Sequence, residues 1–141
     1  MMDWEQCNKQ RLVKKMHVDR ELITSLMKCS EDKSFSASLL ELNERTYSSI
    51  IVLCYDSLRE LLEALSIQNK YKIYNHECYV YFLKEILREE EFSKTYDRIR
   101  KIRNSIIYYG QNLSLEETKI IIRDIKLLIE RCKKLLKEKF K

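Results

Sequence analysis

The chain of 141 residues contains no proline and a single glycine, Gly110. Without those residues there is little punctuation for hairpins or long loops, and the abundant Leu, Ile, Lys, Glu and Arg favour helix instead. Histidine is almost as scarce, with only His17 and His76 present, so acid–base chemistry near neutral pH has few candidates. No apolar run approaches the ~18 residues of a membrane span, and the N-terminus MMDWEQCNKQ lacks an apolar signal core. A soluble, cytoplasmic protein with no membrane contact is the expectation. Neither sign of charge dominates: 27 Lys and Arg against 22 Asp and Glu leave +5, which permits an acidic partner such as RNA without demanding one. The cysteines, Cys7, Cys29, Cys54, Cys78 and Cys132, are odd in number, widely spaced and without a CxxC pair. That argues against a disulfide scaffold or a zinc site, and for buried thiols in a reducing compartment. No metal-ligand cluster or cofactor motif is apparent.

What is present is helical periodicity over one domain. A short helix is expected within Asp3–Met16, and Asp19 can cap a second helix running toward Leu42, with a possible break at SEDKSFSAS. The clearest helix spans about Glu44 to Ile67. There Tyr47, Ile50, Ile51, Cys54, Leu58, Leu61, Leu62 and Leu65 repeat at three- and four-residue steps, with Asp56, Arg59, Glu60 and Glu63 on a polar stripe. Residues Gln68 to Tyr74 read as a loop, and Asn75 can cap a helix from His76 to about Arg88. The next helix, about Phe92 to Tyr109, carries Ile99, Ile102, Ile106 and Tyr109 as its core stripe and ends at Gly110. Ser114 and Glu117 form a capping box for a last helix to about Lys139. Its apolar side carries Ile121, Ile122, Ile125, Leu128, Ile129, Cys132, Leu135 and Leu136, and its basic end, KKLLKEKFK, suits the negative end of a helix dipole. The expected fold is an all-α, up-and-down helical bundle.

One segment of that bundle has the look of a catalytic motif. RNSIIYYG, residues 103 to 110, resembles the RNxxxHYG form of the motif that defines HEPN domains, a superfamily of small helical bundles. YDSLRELLEAL, then NHE at a helix start, FLKE, and the RN helix near the end are similar to the wider family pattern. The likeness covers roughly residues 18 to 137. It implies a homodimer whose RN helices face each other around one composite cleft, and metal-free RNA cleavage of the kind toxin members of toxin–antitoxin systems perform.

Carried over by position, Arg103 would stabilise charge on the attacked phosphate and Asn104 would orient groups. Tyr108 stands where the motif histidine should be. A phenol titrates near pH ~10, so base work at neutrality would cost roughly 4 kcal/mol, and Tyr108 is expected to be at best a weak proton donor. The resemblance therefore implies a weakened or inactivated ribonuclease, in which Tyr108→His restores activity by at least about tenfold. In some members an H-x-Y tyrosine is modified by a partner nucleotidyltransferase; the corresponding position here is Gly110, so that modification does not carry over.

Other residues compete for roles at the cleft. His76 is a candidate substitute for the missing histidine, close to Arg59 or Glu63. Arg59, Glu60 and Glu63 read better as a salt-bridged or cleft-bordering face than as paired catalytic carboxylates. Arg98, Arg100, Lys101 and Arg103 are candidate phosphate contacts, or simply an exposed helix face. The rival to a ribonuclease is a non-enzymatic subunit that uses the same cleft for a small nucleotidyltransferase or a nucleotide.

Overall fold

A computed structural model of the chain describes residues 1–139. Its axis is helix α3 (Tyr47–Gln68). The apolar stripe from Ile50 to Leu65 is buried along its length, as the spacing predicts, but so are Tyr55, Ala64 and Ile67 on other sides of the helix. The reason is enclosure: α2 (Arg20–Ser38), α5 (Glu90–Tyr109) and α6 (Leu115–Lys139) all pack on α3. Each fully buried Leu or Ile side chain contributes about 1.5–3 kcal/mol, and α3 supplies more buried apolar side chains than any other element among the described residues. Consecutive helices joined by short links pack as neighbours, and the fold is an all-α bundle. No helix among the described residues is long and apolar enough to cross a membrane.

Most helix ends follow local chemistry. The Asp19 carboxylate accepts from Leu22 N–H at 3.0 Å and opens α2. That helix runs through SEDKSFSAS unbroken and ends at Ser38, short of Leu42. Two of its serines are satisfied on α3, the Ser30 hydroxyl donating to the Ser57 carbonyl at 2.8 Å and Ser34 pairing with the Ser57 hydroxyl at 2.6 Å. Ser36 and Ser38 bond back to the Asp32 and Phe35 carbonyls near the helix end. Gly110 closes α5 in the left-handed region (φ 62°), with Gln111 N–H reaching the Ser105 carbonyl at 3.1 Å. The capping box forms as expected: Glu117 N–H donates to Ser114 Oγ at 3.0 Å, and Ser114 N–H to Glu117 Oε1 at 3.3 Å. Of the basic end of α6, residues 140 and 141 lie outside the described residues.

Four expectations need correction. The first helix, α1 (Trp4–Lys9), stops short, and Val13–Lys15 forms a strand, β1, not more helix. It pairs antiparallel with β2 (Tyr71–Ile73), inside the expected loop, in the register Val13↔Ile73, Lys14↔Lys72 and Lys15↔Tyr71. A strand of three residues shows too little alternation to be read from sequence; burial of Val13 against Ile73 is what fixes it. Second, the helix after Asn75 is only Cys78–Tyr81 (α4), followed by a π-helical turn over Phe82–Ile86 that buries Phe82 and Leu83 together. The N-cap of α4 is Glu77, not Asn75, whose side chain instead holds the preceding turn by accepting from Glu77 N–H at 2.8 Å and Cys78 N–H at 3.3 Å.

The third correction concerns the thiols. Cys7 and Cys78 form a disulfide with Cα atoms 6.1 Å apart, and Cys29 is exposed. Cys54 and Cys132 are the buried thiols, both pushed up in pKa by burial. The disulfide spans 71 residues; the β1–β2 ribbon and the packing of Trp4 on Phe82 bring its ends together. Fourth, Tyr109 is 83% exposed and does not belong to the core stripe. Ile99 is buried, Ile102 and Ile106 are half-buried, and the last turn of α5 reaches past the buried layer.

Candidate functional site

Tyr96, Arg100 and Arg103 recur at four- and three-residue steps, which puts them on one face of α5. That face meets Tyr55, Asp56 and Arg59 of α3. The turn that leads from β2 into α4 delivers His76 between the two helices. Tyr55 and Tyr96 are fully buried, with rings stacked at 6.2 Å between centroids.

A chain of hydrogen bonds fixes the imidazole. Tyr96 O–H donates to the His76 carbonyl at 3.1 Å. Having spent its only proton there, Tyr96 must accept from Tyr55 O–H, 3.0 Å away. Tyr55 must in turn accept from His76 Nδ1–H at 3.1 Å. The tautomer follows from counting protons: Nδ1 carries the hydrogen, and Nε2 keeps a free lone pair. Burial, then the charges of Arg59, Arg103 and Arg100, pull the His76 pKa down to about 4, with Asp56 opposing them. At neutral pH His76 is an uncharged acceptor at Nε2. Burial pushes the Tyr55 phenol up, against the pull of Arg103, Arg100 and Arg59.

Arg103 is the least satisfied member. Its guanidinium sits 5.1 Å over the Tyr55 ring and 3.8 Å from Asp56 Oδ1, too long for a hydrogen bond. Its side chain is 17% exposed, and Nε is buried without a hydrogen-bond partner. An unpaired buried donor on a cation is costly, about 1–3 kcal/mol or more, and an anion accepting from it would remove that cost. Arg100, by contrast, is held by Asp97 at 2.7 and 3.2 Å. Partial burial alone would raise the Asp97 carboxyl, but bonds from Arg100 and Lys101 outweigh it and hold the pKa low.

The remaining sequence candidates divide clearly. His76, Arg59, Arg100 and Arg103 are brought together. Glu63 turns away to Lys72, 2.7 Å off, and buried Glu60 pairs with Lys33, so the polar stripe of α3 is salt-bridged. Lys101 lies outside, on Asp97 at 3.1 Å. Asn104 is half-buried, and Tyr108, on the last turn of α5, is 70% exposed. Within one chain Tyr108 is therefore not assembled with Arg103. Sequence reasoning missed Tyr55 and Tyr96; their signal was the spacing to Arg59 and Arg103 on the same helix faces.

No protein-family model matches the chain, and no curated protein does either.

Proposed function

We propose that the chain is an RNA-associated, HEPN-like protein of toxin type, with an altered ribonuclease centre built on Arg103 and His76 rather than on Arg103 and Tyr108. The observation that carries this reading is the fixed tautomer of His76 beside an under-satisfied guanidinium. A metal-free phosphodiester cleavage needs those two functions. The 2′-hydroxyl of RNA would yield its proton to Nε2 as its oxygen bonds to phosphorus. The bond to the 5′-oxygen then breaks, and that oxygen takes a proton from the imidazolium or from water. Arg103 and Arg59 meet the added charge on phosphate. A bound phosphate would also offset the guanidiniums that depress His76 and so raise its basicity.

The same low pKa favours the second reading, a non-enzymatic subunit that binds a nucleotide or pairs with a small nucleotidyltransferase. An imidazole held near 4 is a poor proton donor at neutral pH. Pairing of two copies through α5 is part of the proposal, and the exposed Ile107, Tyr108 and Tyr109 support it.

RNA cleavage in excess chelator is the test. His76→Ala and Arg103→Ala should each lower the rate by about a hundredfold or more, while Tyr108→Phe leaves it unchanged. In a dimer that sets residue 108 of one copy against Arg103 of the other, Tyr108→His should add at least about tenfold. Sedimentation as a monomer at micromolar concentration would remove that composite arrangement. Cleavage insensitive to both His76 and Arg103 would remove the proposed centre.

A further inference from the structure

Of the α5 cations that the sequence offers as phosphate contacts, Arg98 is ion-paired with Asp124 at 2.6 Å, Arg100 and Lys101 share Asp97 at 2.7 and 3.1 Å, and Arg103 belongs to the candidate centre. Free positive charge collects elsewhere, on the β1–β2 ribbon. Lys14 and Lys72 face each other across it, an unfavourable like-charge pair unless one is neutralised. Glu63 takes Lys72, and Lys14 is left. Lys15 and Lys70 line one cavity of about 420 Å³, with Met16 and Tyr71 in its wall. Arg11 stands at the other end. Arg11, Lys14, Lys15 and Lys70 are exposed and make no ion pair among the described residues. Arg11 and Lys70 also occupy left-handed backbone (φ 59° and 71°) that glycine would adopt with less strain.

The ribbon leads straight into the candidate centre. Tyr74, 59% exposed, follows β2, and its N–H is pinned to the Leu12 carbonyl at 2.8 Å. His76 comes two residues later, so Lys72 and His76 are separated by at most about 14 Å of chain. Glu63, which holds Lys72, is one helical turn from Arg59, whose charge acts on His76. Cations on a ribbon that is followed along the chain by an exposed aromatic ring and then by the histidine beside a phosphate-seeking guanidinium fit a single nucleic-acid strand.

We propose that the β1–β2 ribbon is the docking track for single-stranded RNA: Arg11, Lys14, Lys15 and Lys70 on its phosphates, Tyr74 under a base, and the strand leading to His76 and Arg103. This rests on the RNA-associated reading of that centre.

The probe is a short labelled RNA with 2′-O-methyl riboses, which binds but cannot be cleaved through its 2′-oxygens. A variant carrying Arg11→Gly, Lys14→Gln, Lys15→Gln and Lys70→Gly removes four charges while easing the backbone at two of them, so it should keep the parent's melting temperature or exceed it. It should bind at least tenfold more weakly. Its salt dependence should be shallower by about two to three in log Kd against log salt, at roughly 0.7 for each phosphate no longer neutralised. A control that removes four ion-paired surface charges (Lys28, Lys94, Lys119 and Lys133, each to Gln) should stay within twofold of the parent. Equal losses in both variants, no loss in the ribbon variant, or parent binding to anionic vesicles but not to RNA would each overturn the track. The two ideas fail separately. A parent that binds the probe more tightly than the ribbon variant but cleaves no unmodified RNA keeps the track and removes the ribonuclease centre. Cleavage by the parent with equal probe binding by the two removes the track alone.

Discussion

Two ends of one helix, α5, carry the residues that matter here, and they live in different surroundings. Toward its first half Tyr96 is fully buried, and Arg103 further along is wedged between the Tyr55 ring and Asp56. In the last turn, Tyr108 and Tyr109 are 70% and 83% exposed. Tyr108 lies five positions after Arg103, little more than a turn, yet Arg103 is positioned by Tyr55 and Asp56 of α3 while Tyr108 is mostly exposed. A side chain does reliable chemistry when its rotamer and protonation are fixed by what surrounds it. On that criterion His76, contributed from outside α5, is better prepared than Tyr108, although Tyr108 occupies the motif position.

The sharpest way to break this contrast is by stability. Tyr96→Ala should cost about 3–5 kcal/mol, because it opens a cavity and strands the Tyr55 hydroxyl and the His76 carbonyl. Tyr109→Ala should stay within about 0.5 kcal/mol in dilute solution. Urea unfolding of the two variants decides the matter; similar midpoints would mean that the two ends of α5 are not distinct in packing.

A second test uses pH. The folded state holds His76 at about 4 against an ordinary value of 6.5, so between those values the unfolded chain binds more protons than the native one. Stability due to this residue is complete above pH 6.5 and is lost as pH falls toward 4. His76→Gln should flatten that part of the melting-temperature profile, and Arg59→Gln should raise the His76 pKa in an NMR titration. A parent profile already level between pH 6.5 and 4 would contradict the packing of His76 described above.

Within the buried cluster the smallest effect should come from Tyr55→Phe. The ring under Arg103 remains, and only the hydroxyl between His76 Nδ1 and Tyr96 is lost, about 1 kcal/mol. The informative signal is the imidazole nitrogen spectrum. The parent should show a protonated Nδ1, and the variant a mixture of tautomers; an unchanged spectrum would mean that the hydroxyl chain does not set the tautomer.

The sequence by itself determined the all-α bundle, because helical periodicity in α3 and α6 and the caps at Asp19, Gly110 and Ser114 are local or short-range signals. It also offered Arg103, through a resemblance that favoured Tyr108 as its partner, and His76 only as a substitute for the missing histidine. It could not show that they share a site with Tyr55 and Tyr96, nor that the last turn of α5 leaves the core. The disulfide from Cys7 to Cys78, the pairing of two three-residue strands, and the meeting of Tyr55, His76 and Tyr96 all join residues 20 or more positions apart. Such contacts depend on how whole elements pack, and no spacing along the chain encodes them. Tertiary structure also decided which cations are free, since Arg98, Arg100 and Lys101 look no different in sequence from Lys14, Lys15 and Lys70 until each carboxylate has found its partner.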